Sequence, residues 1–114
     1  MYKTEKLEKM NTIASYMHQN FSSEITTEEL VQMSHYNYSH FCHSFKEVFG
    51  TSANKYLLSI RLNKASSLLL TTDLNVTEIA SLSGFTDPNY FARIFKKEKG
   101  LSPSGFRKSN SNNL

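Results

Sequence analysis

The sequence has one cysteine, no tryptophan, two prolines and four glycines in 114 residues, and each scarcity removes a class of protein. One cysteine can form neither an internal disulfide nor a cysteine zinc cage, which excludes a stapled secreted scaffold and points to a reducing compartment. So few prolines and glycines leave a β-sandwich short of turns, and hydrophobic residues at 39% are too many for a disordered chain. The longest apolar run is Leu68 to Leu70, far below the roughly 18 residues that span a bilayer. The N-terminal stretch MYKTEKLEKMN has no signal-peptide core. No G-x-S-x-G, P-loop, H-E-x-x-H or G-x-G-x-x-G pattern occurs, so nothing points to an enzyme or to a cofactor. The expectation is a small cytoplasmic domain without catalytic activity or membrane association.

The net charge of +3 hides an asymmetry. Residues 1–50 carry four lysines against six glutamates, whereas residues 51–114 carry nine Lys and Arg against four acids. All four histidines lie in the first half. A basic second half suits a polyanionic partner, though an ordinary solvated surface can carry an excess of this size.

Apolar periodicity predicts helices and no strand, hence an all-α domain of about seven helices. Leu7, Met10, Ile13, Ala14, Met17 and Phe21 share one face of a helix over about 6–21. Thr26 with Glu29 forms a capping box that opens a short helix with Leu30, Val31 and Met33. Asn37 caps a helix carrying Phe41, Phe45, Val48 and Phe49, which stops at Gly50. Ser52 caps a long helix to about Leu70. Asn75 with Glu78 opens a fifth helix that breaks at Gly84. Asp87 and Pro88 start a sixth that ends at Gly100. Ser102-Pro103 signals a last turn or short helix to about Arg107, and the polar tail 109–114 is expected to be disordered.

The second half repeats the first. FCHSFKEVFG (Phe41 to Gly50) and FARIFKKEKG (Phe91 to Gly100) share F-x-x-x-F-K-x-x-x-G at an offset of 50. Upstream, Leu30-Val31 matches Ile79-Ala80 and Tyr36 matches Phe85 at an offset of 49, so the second turn is one residue longer. Downstream, Ser52, Ala53 and Tyr56 match Ser102, Pro103 and Phe106. One supersecondary unit is therefore used twice. Each copy is a short helix, a tight break and a longer helix with an aromatic inner face, the outline of a helix-turn-helix. At about 100° per residue, the outer face of the first long helix carries Ser39, His43 and Lys46, with Cys42 on its flank. The second exposes Asn89, Arg93, Lys96 and Lys97, with Ala92 on its flank. The helix joining them would measure about 30 Å at roughly 1.5 Å per residue, close to the ~34 Å of one DNA turn, so two reading helices could reach successive major grooves. The predicted division is a double helix-turn-helix domain over 1–108, with units at about 6–50 and 74–107 and a linking helix at about 52–70.

With these residues in view, the chain resembles the DNA-binding domain of the AraC/XylS family of bacterial transcription regulators. The resemblance runs from about Leu7 to Arg107. Its most telling stretch is IASLSGFTDPNYFARIFKKEKGLSPSGFR (Ile79 to Arg107), joined by Leu30-Val31, the first F-x-x-x-F-K-x-x-x-G run and Arg61-Leu62-x-x-Ala65. It implies base-reading positions at the second, fifth and sixth residues after each cap: Ser39, Cys42 and His43, then Asn89, Ala92 and Arg93. It also implies duplex DNA at a promoter or operator as partner, an activator that touches RNA polymerase, residence at the nucleoid, and an attached sensing or dimerisation domain. Two departures stand out. Val31 replaces an alanine often found there, and His43 stands where many members carry arginine, so the first unit lacks the bidentate donor that reads guanine. The first unit is therefore expected to read DNA more weakly, or with more pH dependence.

Plainer readings compete at several positions. Phe41, Phe45, Phe91 and Phe95 are core residues, not base-stacking platforms. Lys96, Lys97 and Lys99 alone would read as a solvated face, but the repeat favours phosphate contact at Lys96 and Lys97. Lys46 is a weaker phosphate candidate among the acids Glu28 and Glu47, and Arg61 either touches a phosphate or ties its helix to a neighbour. His35, His40, Cys42 and His43 cluster in sequence, yet their spacing matches no usual zinc pattern, so no metal is expected. The alternative function is a helical protein-interaction module without DNA binding. It would not explain why two units repeat with polar outer faces, nor the basic face free of large apolar residues.

Overall fold

Side-chain caps set the helix starts. A computed structural model of the protein describes residues 2–111, whose helices are α1 (Tyr2–Asn20), α2 (Thr27–Ser34), α3 (Tyr38–Phe49), α4 (Ala53–Thr71), α5 (Val76–Leu82), α6 (Pro88–Lys99) and α7 (Pro103–Ser111). Asn37 Oδ1 accepts the His40 amide at 2.8 Å and Asn75 Oδ1 accepts the Glu78 amide at 2.8 Å. Asp87 Oδ1 accepts the Asn89 amide at 2.9 Å, and Ser52 and Ser102 cap α4 and α7 in the same way. Each bond satisfies an amide that the first helical turn leaves without a partner. Gly50 (φ 77°) and Gly100 (φ 86°) close α3 and α6 in the left-handed region. Among the described residues there is no strand, and no helix is long and apolar enough to cross a membrane.

Three local expectations differ from the structure. First, α1 begins at Tyr2, five residues before the first position of the apolar pattern, Leu7, because its polar first turns carry no periodic signal; Lys6 there donates to Glu47 at 2.6 Å. Second, the predicted capping box at Thr26 and Glu29 is half formed. Thr26 Oγ1 accepts the Glu29 amide at 3.1 Å, but the Glu29 carboxylate accepts the Tyr16 hydroxyl. That bond raises the Tyr16 pKa above its ordinary value, with desolvation adding to it. The box at Asn75 and Glu78 is complete, the reciprocal bond from the Asn75 amide to Glu78 Oε1 being 3.1 Å. Third, α7 runs on to Ser111, where Asn110 Nδ2 donates to Phe106 O at 2.8 Å, so 109–111 are helical and not part of a disordered tail. Residues 112–114 of that expected tail lie outside the described residues.

The helices form two compact units that divide inside α4, between Ile60 and Arg61. The first part of α4 contributes Ala53 and Leu57 to the first unit, and its second part contributes Leu62, Ala65 and Leu69 to the second. In the first unit Met10, Ile13, Met17, Leu30, Phe41, Phe45, Ala53 and Leu57 form the buried cluster. In the second, Leu62, Ala65, Leu69, Ile79, Ala80, Phe85, Phe91 and Phe95 are buried. Phe41, Phe45, Phe91 and Phe95 are each 0% exposed, and truncating any of them to alanine would cost about 3–5 kcal/mol.

The internal repeat holds at the level of ring geometry. Phe41 and Phe45 lie 5.8 Å apart, and Phe91 and Phe95 lie 5.6 Å apart. Tyr56 meets Phe45 edge-on at 5.4 Å and 82°, while Phe106 meets Phe95 at 5.4 Å and 81°. These T-shaped contacts seat each long helix against the one that follows it.

Candidate nucleic-acid interface

In α6 the buried and exposed faces separate cleanly. Phe91 and Phe95 point into the core of their unit, whereas Asn89, Arg93, Lys96 and Lys97 are exposed and Ala92 is partly so. Pro88 occupies the first turn, where the missing amide costs no helical bond. Lys96, Lys97 and Lys99 lie in the last turn, where cations complement the helix dipole. They differ in commitment: Lys99 Nζ donates to Asn63 Oδ1 at 2.9 Å, tying α6 to α4, while Lys96 and Lys97 make no ion pair among the described residues. The outward surface of α6 is therefore a cationic strip on a rigid helix, with the chemistry to meet phosphate oxygens and base edges. Contrary to expectation, it is not free of large apolar residues: Tyr90, on the same face as Arg93, is 43% exposed because only Phe91 and Phe95 are needed to fill the core.

The face of α3 is equally exposed but chemically poorer. Ser39, Cys42 and His43 are exposed opposite buried Phe41, Ser44 and Phe45. Cys42 is a free thiol. Beside it Lys46 lines a cavity of about 190 Å³ that Tyr38, Phe41, Ser52 and Ala53 also border. The expected acidic surroundings of Lys46 are reduced, because Glu47 is bonded to Lys6.

The residues of the histidine and cysteine cluster go separate ways. His35 sits beyond the end of α2 with φ 61°, the position that Gly84 (φ 97°) fills in the second unit. His40 stacks on Tyr36 at 3.7 Å and 11°. Among the described residues no three His, Cys, Asp or Glu side chains are placed to hold a metal ion.

Arg61 is half-buried, and desolvation lowers its pKa below the ordinary arginine value. That environment differs from the open one of Lys96 and Lys97, and it favours the reading in which Arg61 ties α4 to its surroundings.

Several contacts that close helix ends escaped the sequence. Lys9 Nζ donates to Ser34 O at 2.6 Å, capping the end of α2, and sits 4.4 Å from the Tyr36 ring centroid. Arg107 does the same for α4 through bonds of 3.0 Å from Nε to Leu69 O and from a terminal nitrogen to Thr72 O. Both join residues 25 or more positions apart, so no local pattern announces them.

A family profile described as a helix-turn-helix domain matches residues 30–109. The chain is 35% identical over 96 residues to YijO of Escherichia coli (strain K12), an uncharacterized HTH-type transcriptional regulator; the match covers 84% of this chain and 34% of that relative. The chain spans well under half the length of YijO and of other curated relatives that it matches. Among solved structures, the C-terminal domain of the two-component response regulator yesN from Fusobacterium nucleatum is 34% identical with a TM-score of 0.80, covering 85% of this chain and 95% of that one. The DNA-binding domain of AdpA, solved in complex with a target DNA, has a TM-score of 0.88 at 22% identity, covering 92% and 95%. At that identity the likeness concerns the fold.

Proposed function

The chain belongs to the AraC-type helix-turn-helix family, and from that premise we propose that it regulates transcription by binding duplex DNA sequence-specifically, with α6 as the principal reading helix and α3 as the second. The observation that carries this reading is the polarity of α6: Phe91 and Phe95 fully buried, Asn89, Arg93, Lys96 and Lys97 exposed.

In this reading Asn89, Ala92 and Arg93 meet base edges. Arg93 is suited to guanine O6 and N7, Asn89 to a hydrogen bond, and the Ala92 methyl to apolar contact with thymine. Lys96 and Lys97 hold the backbone. Ser39, Cys42 and His43 read the second site with shorter and uncharged reach, and Lys46 supplies its phosphate contact. Arg61 is a lesser phosphate candidate, given its burial. The division of labour follows from side-chain chemistry, since a neutral imidazole offers one donor or acceptor where a guanidinium offers a two-pronged donor.

The double helix-turn-helix domain over 1–108 is read as one DNA-binding module. Within it, the two reading helices are read as addressing successive major grooves on one duplex. Residence at the nucleoid, activation through RNA polymerase and attachment to a sensing or dimerisation domain extend the proposal to a whole regulator. Catalysis has no part in it.

The test is selection from a random duplex pool, followed by binding of the winner and a scrambled control across a salt series. An enriched site with two segments about ten base pairs apart and a steep salt dependence is expected. Enrichment of one segment would assign reading to α6 alone. Absence of both enrichment and salt-sensitive binding would overturn the proposal in favour of a protein-interaction module.

A further inference from the structure

We propose that Tyr90 is a positioning residue for Arg93 and thereby helps set which base pair the second unit prefers, an inference that rests on the reading role given to α6. Tyr90 is 43% exposed, so part of its ring is open to solvent. It stands three positions before Arg93, the spacing that brings two side chains together on one helix face. Phe85 braces it from below, ring centroids 6.2 Å apart, and Phe85 in turn packs on the buried Phe91 at 4.9 Å. The guanidinium carbon of Arg93 lies 6.0 Å from the Tyr90 ring centroid, at the outer reach of cation–π attraction. Among the described residues Arg93 has no carboxylate partner, so no ion pair competes with the ring for the guanidinium.

A long exposed side chain loses rotamer freedom when it is fixed at an interface. A ring that biases the guanidinium before DNA arrives lowers that loss, and it disfavours orientations that miss a bidentate base edge. The first unit has no such device. The position matching Tyr90 is His40, whose ring is stacked on Tyr36, and the position matching Arg93 is His43, whose short side chain needs no prop.

The experiment compares the parental chain, Tyr90→Leu, Tyr90→Phe, Arg93→Ala and the Tyr90→Leu/Arg93→Ala double variant. Each is titrated on the duplex selected by the parental protein and on the same duplex substituted one base pair at a time, with thermal melts to verify folding. Tyr90→Leu is expected to weaken binding to the selected duplex about two- to five-fold, the ~0.5–1 kcal/mol of an exposed cation–π contact converted at about 1.4 kcal/mol per tenfold. It should blunt preference at the base pair to which Arg93→Ala becomes indifferent, and leave the salt slope unchanged. Tyr90→Phe should stay within about two-fold of the parental chain, because the ring face is retained, and Tyr90→Leu should add nothing once Arg93 is gone. The proposal is overturned if Tyr90→Leu costs the same factor with or without Arg93, or if Tyr90→Phe loses as much as Tyr90→Leu, which would make the hydroxyl the contact. Arg93→Ala with unchanged base preference would overturn the reading role itself, and this proposal with it.

Discussion

Removing the two uncommitted lysines of α6 should flatten the salt dependence of DNA binding by a calculable amount. Lys96 and Lys97 are exposed at the end of α6, on the side of the helix that carries Arg93. A lysine on a phosphate contributes about 0.9 to the slope of log affinity against log salt. Over a fourfold rise from about 50 to about 200 mM salt, one such contact accounts for about a 3.5-fold loss of affinity and two for about 12-fold. The Lys96→Ala/Lys97→Ala protein should therefore show a slope smaller by about 1.8, equally on selected and scrambled duplexes, since phosphates carry no sequence information.

Lys99 is the internal control. It has the same charge in the same helical turn, but its amine is bonded to Asn63 at 2.9 Å and it is only partly exposed. Lys99→Ala should change the slope much less than either neighbour and act instead through stability. The assay is a fluorescence anisotropy titration at five salt concentrations. An unchanged slope in the double variant, or a loss confined to the selected duplex, would refute the phosphate assignment; a slope change in Lys99→Ala equal to that of Lys96→Ala would show that bulk charge matters and not position.

Arg93→Ala should cost about 1–3 kcal/mol on the selected duplex and relax preference at one base pair; equal losses on selected and random DNA would count against base reading. At the matched turn positions the two units should respond with opposite sign. His35 holds φ 61° with an exposed side chain, so His35→Gly should be neutral or stabilising by up to about 1 kcal/mol, whereas Gly84→Ala at φ 97° should destabilise by about 1–2 kcal/mol. Urea midpoints measure both, and a clearly destabilised His35→Gly would sink the argument. Alkylation of the exposed Cys42 thiol with N-ethylmaleimide should weaken specific binding, and Cys42→Ser should abolish the sensitivity; an alkylated protein that binds unchanged would remove Cys42 from the interface.

Much of this was legible in the sequence because it is local or periodic. The caps at Asn37, Ser52, Asn75 and Asp87 and the stops at Gly50 and Gly100 each depend on a side chain or a φ value within a few residues of the helix end. Buried Phe41, Phe45, Phe91 and Phe95 fall on helical spacing. What the sequence concealed is non-local or competitive. Thr26 and Glu29 have the spacing of a capping box, but Tyr16, 13 positions upstream of Glu29, takes the carboxylate. Lys9 and Arg107 read as surface cations, yet they close the ends of α2 and α4 through backbone carbonyls. The start of α1 and the extension of α7 to Ser111 lie in polar turns, where no apolar periodicity marks them. The exposed faces were legible as geometry, but exposure does not say which base each side chain prefers.

The two units share a buried scaffold and differ on their outward faces, which makes the outward face transferable. Phe41, Phe45 and Tyr56 occupy one unit as Phe91, Phe95 and Phe106 occupy the other, with T-shaped contacts of 5.4 Å in both. None of Ser39, Cys42 or His43 is buried, so replacing them does not reach that scaffold. Substitutions away from cores and caps usually stay within about 0.5 kcal/mol. The triple substitution Ser39→Asn, Cys42→Ala and His43→Arg should therefore leave the melting transition nearly unchanged while giving α3 the side chains of α6. Reselection from a random pool should then yield a site whose first segment has shifted toward the sequence of the second, and whose affinity gains by about 1–3 kcal/mol from one new bidentate contact. Selection of the parental site by the substituted protein would mean that the docking of α3 on DNA, and not its side chains, sets its preference.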